Sequence, residues 1–132
     1  MSDALVTHKG GCHCRRVSWE VEAPALLQTH TCNCSICTPY NYQHLIVPKS
    51  RFTLLTGESD LSCYNFGSGI AQHFFCGHCG VKSFYVPRSN PNGVSINVRC
   101  IDSQTITGIE DRAFDGQNWE QNAGALAGLD RA

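Results

Sequence analysis

Apolar and polar side chains alternate over short stretches of this chain. In residues 16–22 the side chains of Val17, Trp19 and Val21 would point to one side, and the charged side chains between and beside them to the other. An alternation with a period of two is typical of a half-buried strand, because successive side chains of a strand point to opposite faces. Similar runs occupy residues 27–31, 43–47, 52–56, 61–66, 71–75, 81–86, 94–98 and 105–109.

Gly, Pro, Asn and Asp separate these runs, so the chain is predicted to be all-β, built from short antiparallel strands with little helix. Helix is expected only as single turns near residues 35–38 and 123–129. The chain of 132 residues has room for one domain. Residues 113–132 are rich in Gly, Asn, Gln and Asp and are predicted to form a loosely held tail.

Composition and charge exclude several classes of protein. The chain is 42% hydrophobic and 16% charged, with a net charge of −1, which argues against disorder and against binding to nucleic acid. No apolar run reaches the roughly 18 residues of a membrane helix, and residues 1–9 lack the apolar core of a signal peptide. We therefore expect a cytoplasmic protein that binds neither nucleic acid nor membrane.

Nine cysteines are the unusual feature of the composition. In a reducing compartment such thiols more often hold metal than form disulfides. Seven of them fall in three tight groups, whose members are Cys12 and Cys14, then Cys32, Cys34 and Cys37, then Cys76 and Cys79. Zinc is the default metal for such spacings, and glycines flank the first and third groups, as tight turns around a metal require.

The ligand count divides these seven cysteines into four and three. A structural zinc takes four protein ligands, and a catalytic zinc takes three and leaves one position open. We predict a closed structural site formed by the first and third groups and an open site formed by Cys32, Cys34 and Cys37. The alternative is a second closed site, with a fourth ligand drawn from His30, His44, Cys63 and Cys100.

An open site of three thiolates would suit thiol chemistry. Three thiolates on one Zn²⁺ leave a net charge of about −1, so the metal would be a modest Lewis acid for water. Such a soft site is better suited to bind an incoming thiol and present it as a thiolate to a small electrophile.

Four segments of the chain resemble the glutathione-dependent formaldehyde-activating enzyme family, which shares a domain with centromere protein V. They are Gly-Cys-His-Cys at 11–14, Cys-Asn-Cys-Ser-Ile-Cys at 32–37, His-Phe-Phe-Cys-Gly-His-Cys-Gly at 73–80 and Ile-Asn-Val-Arg-Cys-Ile-Asp at 96–102. The resemblance covers residues 10–102.

The resemblance implies a zinc-stapled β-tent fold with two zinc ions, divided between the cysteines as above. It also implies a carbon–sulfur lyase that reversibly adds the sulfur of glutathione to formaldehyde, giving S-hydroxymethylglutathione, or a relative that acts on another small thiol adduct. The alternative is a non-catalytic zinc-stabilised scaffold that binds a protein partner.

Other residues are weaker candidates. Glutathione carries two carboxylates, and Arg99 is the first choice to bind them, with Lys49 and Arg51 next, although each could be a plain surface charge. His30 could be a ligand of the second zinc or carry a proton. The remaining expectations are that His13 and His78 point outward, that Tyr40, Tyr42 and Phe74 line a pocket or the core, and that Cys63 and Cys100 are small buried apolar residues.

Overall fold

Ten strands and two short α-helices make up most of the fold in a computed structural model that describes residues 4–129. The strands are β1 (Leu5–Gly11), β2 (Ser18–Pro24), β3 (Leu26–Cys32), β4 (Gln43–Pro48), β5 (Phe52–Thr56), β6 (Leu61–Tyr64), β7 (His73–Cys76), β8 (Phe84–Tyr85), β9 (Gly93–Asn97) and β10 (Gly108–Phe114). The helices are α1 (Cys37–Tyr40) and α2 (Trp119–Asn122). Single 3-10 turns are Lys49–Arg51, Glu58–Asp60, Val98–Cys100, Gly116–Asn118 and Ala123–Leu126. The all-β prediction is confirmed.

The strands form three sheets in the described part of the chain: β1-β2-β5, β10-β3-β4-β9-β8 and β6-β7. Every named pair is antiparallel, as predicted, except β3 with β10, which is parallel. In that pair the register runs from Gly108 beside Leu26 to Phe114 beside Cys32. The two strands therefore end together, and the chain that follows β10 is delivered to the cysteine group at residues 32–37.

The strand predicted for residues 16–22 lies at the centre of the main core. Val17, Trp19 and Val21 are completely buried, and the Trp19 indole N–H donates to the Ser83 hydroxyl at 3.0 Å. The hydrogen bond satisfies the one polar atom of the indole, which is the usual condition for burying tryptophan. The core thereby joins β2 to the loop before β8.

The structure differs from the sequence expectations at both ends of the described chain. Strand β1 was not predicted, and the last strand occupies residues 108–114 rather than 105–109. In β1 the apolar side chains are only the adjacent Leu5 and Val6, and β10 is mostly exposed and polar, so neither strand carries a clear apolar alternation. Residues 116–126 form short helical turns rather than a loose tail, the side chains of Phe114 and Leu126 are buried, and the last three residues of the predicted tail lie outside the described residues.

Candidate functional site

Four cysteines meet at the junction of β1 and β7. Cys12 and Cys14 follow β1, Cys76 ends β7, and Cys79 lies in the turn after it. Their sulfur atoms all lie within 4.8 Å of one another, and the Sγ of Cys14 is 3.6 Å from the Sγ of both Cys12 and Cys76. Zn–S bonds of about 2.3 Å in a tetrahedron would place the sulfurs about 3.8 Å apart. The donor set and its spacing therefore fit one zinc ion.

The backbone around this cluster has the form of a metal knuckle. The N–H groups of His78 and Cys79 point at the Cys76 sulfur, at 3.4 and 3.5 Å. Gly80 closes the turn with a φ of +78°, which favours glycine, and its N–H donates to the Cys76 carbonyl at 2.8 Å. His13 and His78 are exposed, as the sequence predicts, and His78 Nε2 lies 2.8 Å from a carboxylate oxygen of Asp60.

Three more cysteines meet where β3 gives way to α1. Cys32 ends β3, Cys37 begins α1, and the sulfurs of Cys32, Cys34 and Cys37 all lie within 4.8 Å of one another. Within residues 4–129, no histidine, cysteine or acidic side chain adds a fourth ligand atom to this group at that distance. His30, His44, Cys63 and Cys100 therefore lie outside the cluster. The cluster therefore offers three ligand atoms, the number expected of an open metal site.

The crowding of these sulfurs sets their ionisation. Hydrogen bonds from the thiols of Cys32 and Cys37 lower the pKa of Cys34 far below its ordinary value. Hydrogen bonds with Cys32 and Cys34, together with burial, raise the pKa of Cys37 far above its ordinary value. Like charges this close disfavour one another, so without a cation one thiolate shares its charge with two thiols. A divalent metal ion would let all three sulfurs ionise, and the donor set suits zinc.

His44 joins the three-cysteine cluster to the core of the five-stranded sheet. Its Nε2 lies 3.2 Å from the Cys37 sulfur, and its Nδ1 lies 2.9 Å from the Ser95 hydroxyl and 3.3 Å from the Tyr85 hydroxyl. Burial, followed by the charge of Lys82, lowers the pKa of His44 to about 3. The imidazole is therefore neutral at physiological pH.

A cavity of about 440 Å³ opens against the three-cysteine cluster. His30 and His44 line it on the β3 and β4 side, and Gly116 and Trp119 close it from the C-terminal segment. Gly116 is packed so tightly that a Cβ there would meet the Cys32 sulfur at 2.4 Å. The segment expected to be loose is thus a wall of the cavity, and its many Gly, Asn, Gln and Asp residues gave no signal of that role.

Among the described residues, the lysine or arginine that lines this cavity is Arg88, not one of the three basic residues considered from the sequence. The Arg88 guanidinium stacks 3.8 Å from the centre of the Trp119 ring and pairs with Glu120 at the rim. Arg99 is exposed in the turn after β9, and neither Arg99, Lys49 nor Arg51 lines the cavity. A glutathione contact by Arg99 stays a prediction from the sequence.

Lys82 is a second cation that sequence reasoning missed. Its side chain is 2% exposed, its Nζ donates to Nδ1 of His73 at 2.7 Å, and it lies 4.0 Å from the centre of the Tyr85 ring. The signal in the sequence was a lysine two residues before Phe84 in an apolar run, hence on the same face of a predicted strand.

A second cavity, of about 450 Å³, lies beside Lys82. Its lining is formed by Ile36, Tyr40, Cys63, Tyr64, His73, Phe75 and Lys82. Tyr40 therefore lines a cavity, Tyr42 is in the core, and Cys63 is exposed rather than buried as expected. Cys100, in contrast, is half-buried against the main core.

Comparison with known proteins gives two findings. The family model described as "Glutathione-dependent formaldehyde-activating enzyme" matches residues 7–117, which extends past the segment of resemblance at both ends. A crystal structure of a Rhodobacter sphaeroides protein, described as a structural genomics target, is 29% identical with a TM-score of 0.65. The similarity covers 77% of this chain and 99% of that one. In addition, within residues 4–129 no helix has the length and apolar character needed to cross a membrane.

Proposed function

Because the chain belongs to the glutathione-dependent formaldehyde-activating enzyme family, we propose that it is a carbon–sulfur lyase that reversibly adds the sulfur of glutathione, or of a related small thiol, to formaldehyde. Family membership supports a function of the glutathione and formaldehyde type. The lyase reaction, the two zinc sites and action in the cytoplasm are the finer parts of the proposal.

The observation that carries the proposal is the position of Cys32, Cys34 and Cys37. Their three sulfurs lie together, and they line a cavity large enough for a small organic ligand. A closed structural site would offer four ligands, as the cluster built on Cys12 and Cys76 does. Three ligands beside a cavity leave one position for the substrate sulfur.

The reaction forms one bond between sulfur and carbon. The thiol proton leaves the sulfur, the sulfur attacks the formaldehyde carbon, and the carbonyl oxygen takes up a proton to become the hydroxyl group of the adduct. A zinc ion held by Cys32, Cys34 and Cys37 would bind the thiol and lower its pKa, so that the sulfur reacts as a thiolate.

The remaining tasks fall to residues of the chain. His30 lines the cavity, and we assign its imidazole to carry the thiol proton to the aldehyde oxygen. Arg88 lines the same cavity and offers guanidinium donors to a carboxylate of the thiol substrate. Phe114 and Trp119 cover the cavity from the C-terminal side and restrict the access of water.

The test is the rate of exchange between ¹³C-formaldehyde and its glutathione adduct, measured by exchange NMR with zinc-loaded protein. The spontaneous reaction in buffer is the baseline. We expect the protein to accelerate exchange and Cys34→Ser, if folded, to lose the acceleration. A zinc-loaded protein with no effect on exchange would contradict the proposal and favour the alternative, a zinc-stabilised scaffold for a protein partner.

A further inference from the structure

Lys82 is buried in a cage of aromatic rings. Besides the Tyr85 ring, its Nζ lies 5.2 Å from the centre of the Tyr42 ring and 5.5 Å from that of Tyr40. An ammonium group only donates hydrogen bonds, so the Nδ1 of His73 accepts, and the imidazole proton is on Nε2. The polar contact described for the lysine side chain is therefore with a neutral group.

Lys82 makes no ion pair with a carboxylate anywhere in the part of the chain that the structure describes. Removing an ammonium group from water costs several kcal/mol unless other groups compensate. Cation–π contacts recover part of this cost, and the negative charge of the cluster at Cys37 and Cys34 acts in the same direction. Burial lowers the pKa of Lys82 to about 8, which leaves it mostly protonated at pH 7.

The cavity beside Lys82 has the composition of an anion site. Lys82 is the one lysine or arginine among its described lining residues, no acidic residue is among them, and the others are mostly aromatic or aliphatic. Ile36 and His73 line both this cavity and the one at the three-cysteine cluster. Because these two residues line both cavities and Ile36 directly precedes Cys37, the two cavities are neighbours at the three-cysteine cluster.

The two ends of glutathione differ in charge, and the two cavities differ in the same way. The γ-glutamyl end carries a carboxylate and an ammonium group, and the rim of the first cavity offers Arg88 paired with Glu120. The glycine end carries a carboxylate alone, and the second cavity offers Lys82 alone. An ammonium group beside the buried lysine would be repelled, so the glycine end is the one that fits.

We propose that the cavity at Lys82 is a carboxylate-binding subsite, which holds the glycine carboxylate of the thiol substrate while its sulfur lies at Cys32, Cys34 and Cys37. The proposal rests on the proposed function for the identity of the substrate. The chemistry alone would also admit a small free carboxylate such as acetate. Lys82 is thus inferred to determine which thiols the site accepts.

Calorimetric titration of zinc-loaded protein tests the subsite with three thiols: glutathione, glutathione whose glycine carboxylate is replaced by a carboxamide, and 2-mercaptoethanol. On the natural chain we expect the amide to bind about tenfold more weakly than glutathione, the range that a charge-assisted hydrogen bond supports. On Lys82→Met the two peptides should bind equally, and 2-mercaptoethanol should bind both proteins alike. Lys9→Met, which replaces an exposed lysine, is the matched control, and we expect it to keep the preference for glutathione over the amide.

Two results would overturn the subsite. One is equal weakening of all three thiols by Lys82→Met, which would mean that the lysine only balances the charge of the cysteine cluster. The other is discrimination between glutathione and its amide that survives in Lys82→Met. If Lys82→Met does not fold, Lys82→Arg replaces it: we expect this variant to keep the preference for glutathione, and its loss would count against recognition through the charge.

A failure of the proposed function would give a different result from a failure of the subsite. If none of the three thiols binds the natural chain, the thiol chemistry is wrong, and titration with sodium acetate then tests the subsite alone. Binding of acetate that disappears in Lys82→Met would support a site for a free carboxylate. Absence of acetate binding in that case would overturn the subsite as well.

Discussion

The Nε2 atom of the buried His44 imidazole lies 3.2 Å from the sulfur of Cys37. When Cys37 is a thiolate it can only accept, so Nε2 carries the proton, and Nδ1 accepts from a hydroxyl. The Ser95 hydroxyl, at 2.9 Å, and the Tyr85 hydroxyl, at 3.3 Å, are both placed to donate to Nδ1. One tautomer of a buried histidine is thereby matched to an ionised ligand of the cluster.

His44→Phe removes the N–H that faces the Cys37 sulfur. We expect zinc affinity at the three-cysteine site to fall about tenfold or more, the range found for groups that orient metal ligands. Titration with a competing chelator would resolve the two sites, and the four-cysteine site should keep its affinity. His30→Phe is the control, since His30 lines the same cavity without a described hydrogen bond to a cysteine. Equal losses in both variants would show that the hydrogen bond is not responsible.

The two cysteine clusters should respond differently to substitution. Cys76 is buried in the main core and joins β7 to the turn after β1, whereas Cys34 is half-buried in a loop at the cavity. Cys76→Ser should therefore unfold the domain, because binding to a structural zinc contributes directly to folding. Cys34→Ser should stay folded and lose the metal of the second site. Circular dichroism with zinc analysis measures both, and equal unfolding would contradict separate roles.

The close pairs within the cysteine clusters could be predicted from the sequence because their spacing is local, whereas the meeting of Cys14 with Cys76, 62 residues away, was inferred from the ligand count. Cys12 and Cys14 are two residues apart, and so are Cys32 and Cys34, so each pair is close in any conformation. The strand at 52–56 was likewise predicted with its observed bounds. In each case the controlling interaction acts between residues that are near in sequence.

The walls of the cavities could not be predicted in this way. Gly116 reaches Cys32 because β10 pairs in parallel with β3, an interaction between residues about 80 apart. Lys82 was missed since a lysine is seldom buried, and two rings of its cage, those of Tyr40 and Tyr42, come from a segment about 40 residues away in sequence. Tertiary packing determines the position of both residues, and no local sequence pattern indicates it.

Gly116→Ala should disturb the cavity wall. The added Cβ would meet the Cys32 sulfur at 2.4 Å and the Cβ of Cys34 at 2.9 Å, so the C-terminal segment must move. We expect a loss of about 1 to 3 kcal/mol in the free energy of unfolding and weaker metal binding at the second site.

Gly124→Ala is the matched control for this substitution. A Cβ at Gly124 would meet nothing within 4 Å, so its free energy of unfolding should change by less than about 0.5 kcal/mol. Denaturant unfolding of the two zinc-loaded variants measures both free energies of unfolding. A Gly116→Ala protein as stable as Gly124→Ala would show that the wall is not packed against the cysteines.

His73 should make the stability of the protein sensitive to acid. Burial, followed by the charge of Lys82, lowers the pKa of His73 to about 4. The thiolate of Cys34 opposes this shift, and the Tyr85 ring stacks on the imidazole at 4.9 Å. In the unfolded chain a histidine takes up its proton near pH 6.5, so between pH 6.5 and about 4 the unfolded state binds more protons. The contribution of His73 to stability is therefore present above pH 6.5 and is lost as the pH falls.

His73→Asn keeps an acceptor for the Lys82 ammonium and removes the titration. We expect the free energy of unfolding of the natural chain, minus that of His73→Asn, to be constant above pH 7. The difference should then decline toward pH 4, by up to about 3 kcal/mol for a shift of this size. Both proteins lose zinc from their thiolates in acid, and the subtraction removes this shared effect. Denaturant unfolding across the pH range measures the difference, and a flat profile would mean that His73 titrates in the folded protein as it does in the unfolded chain.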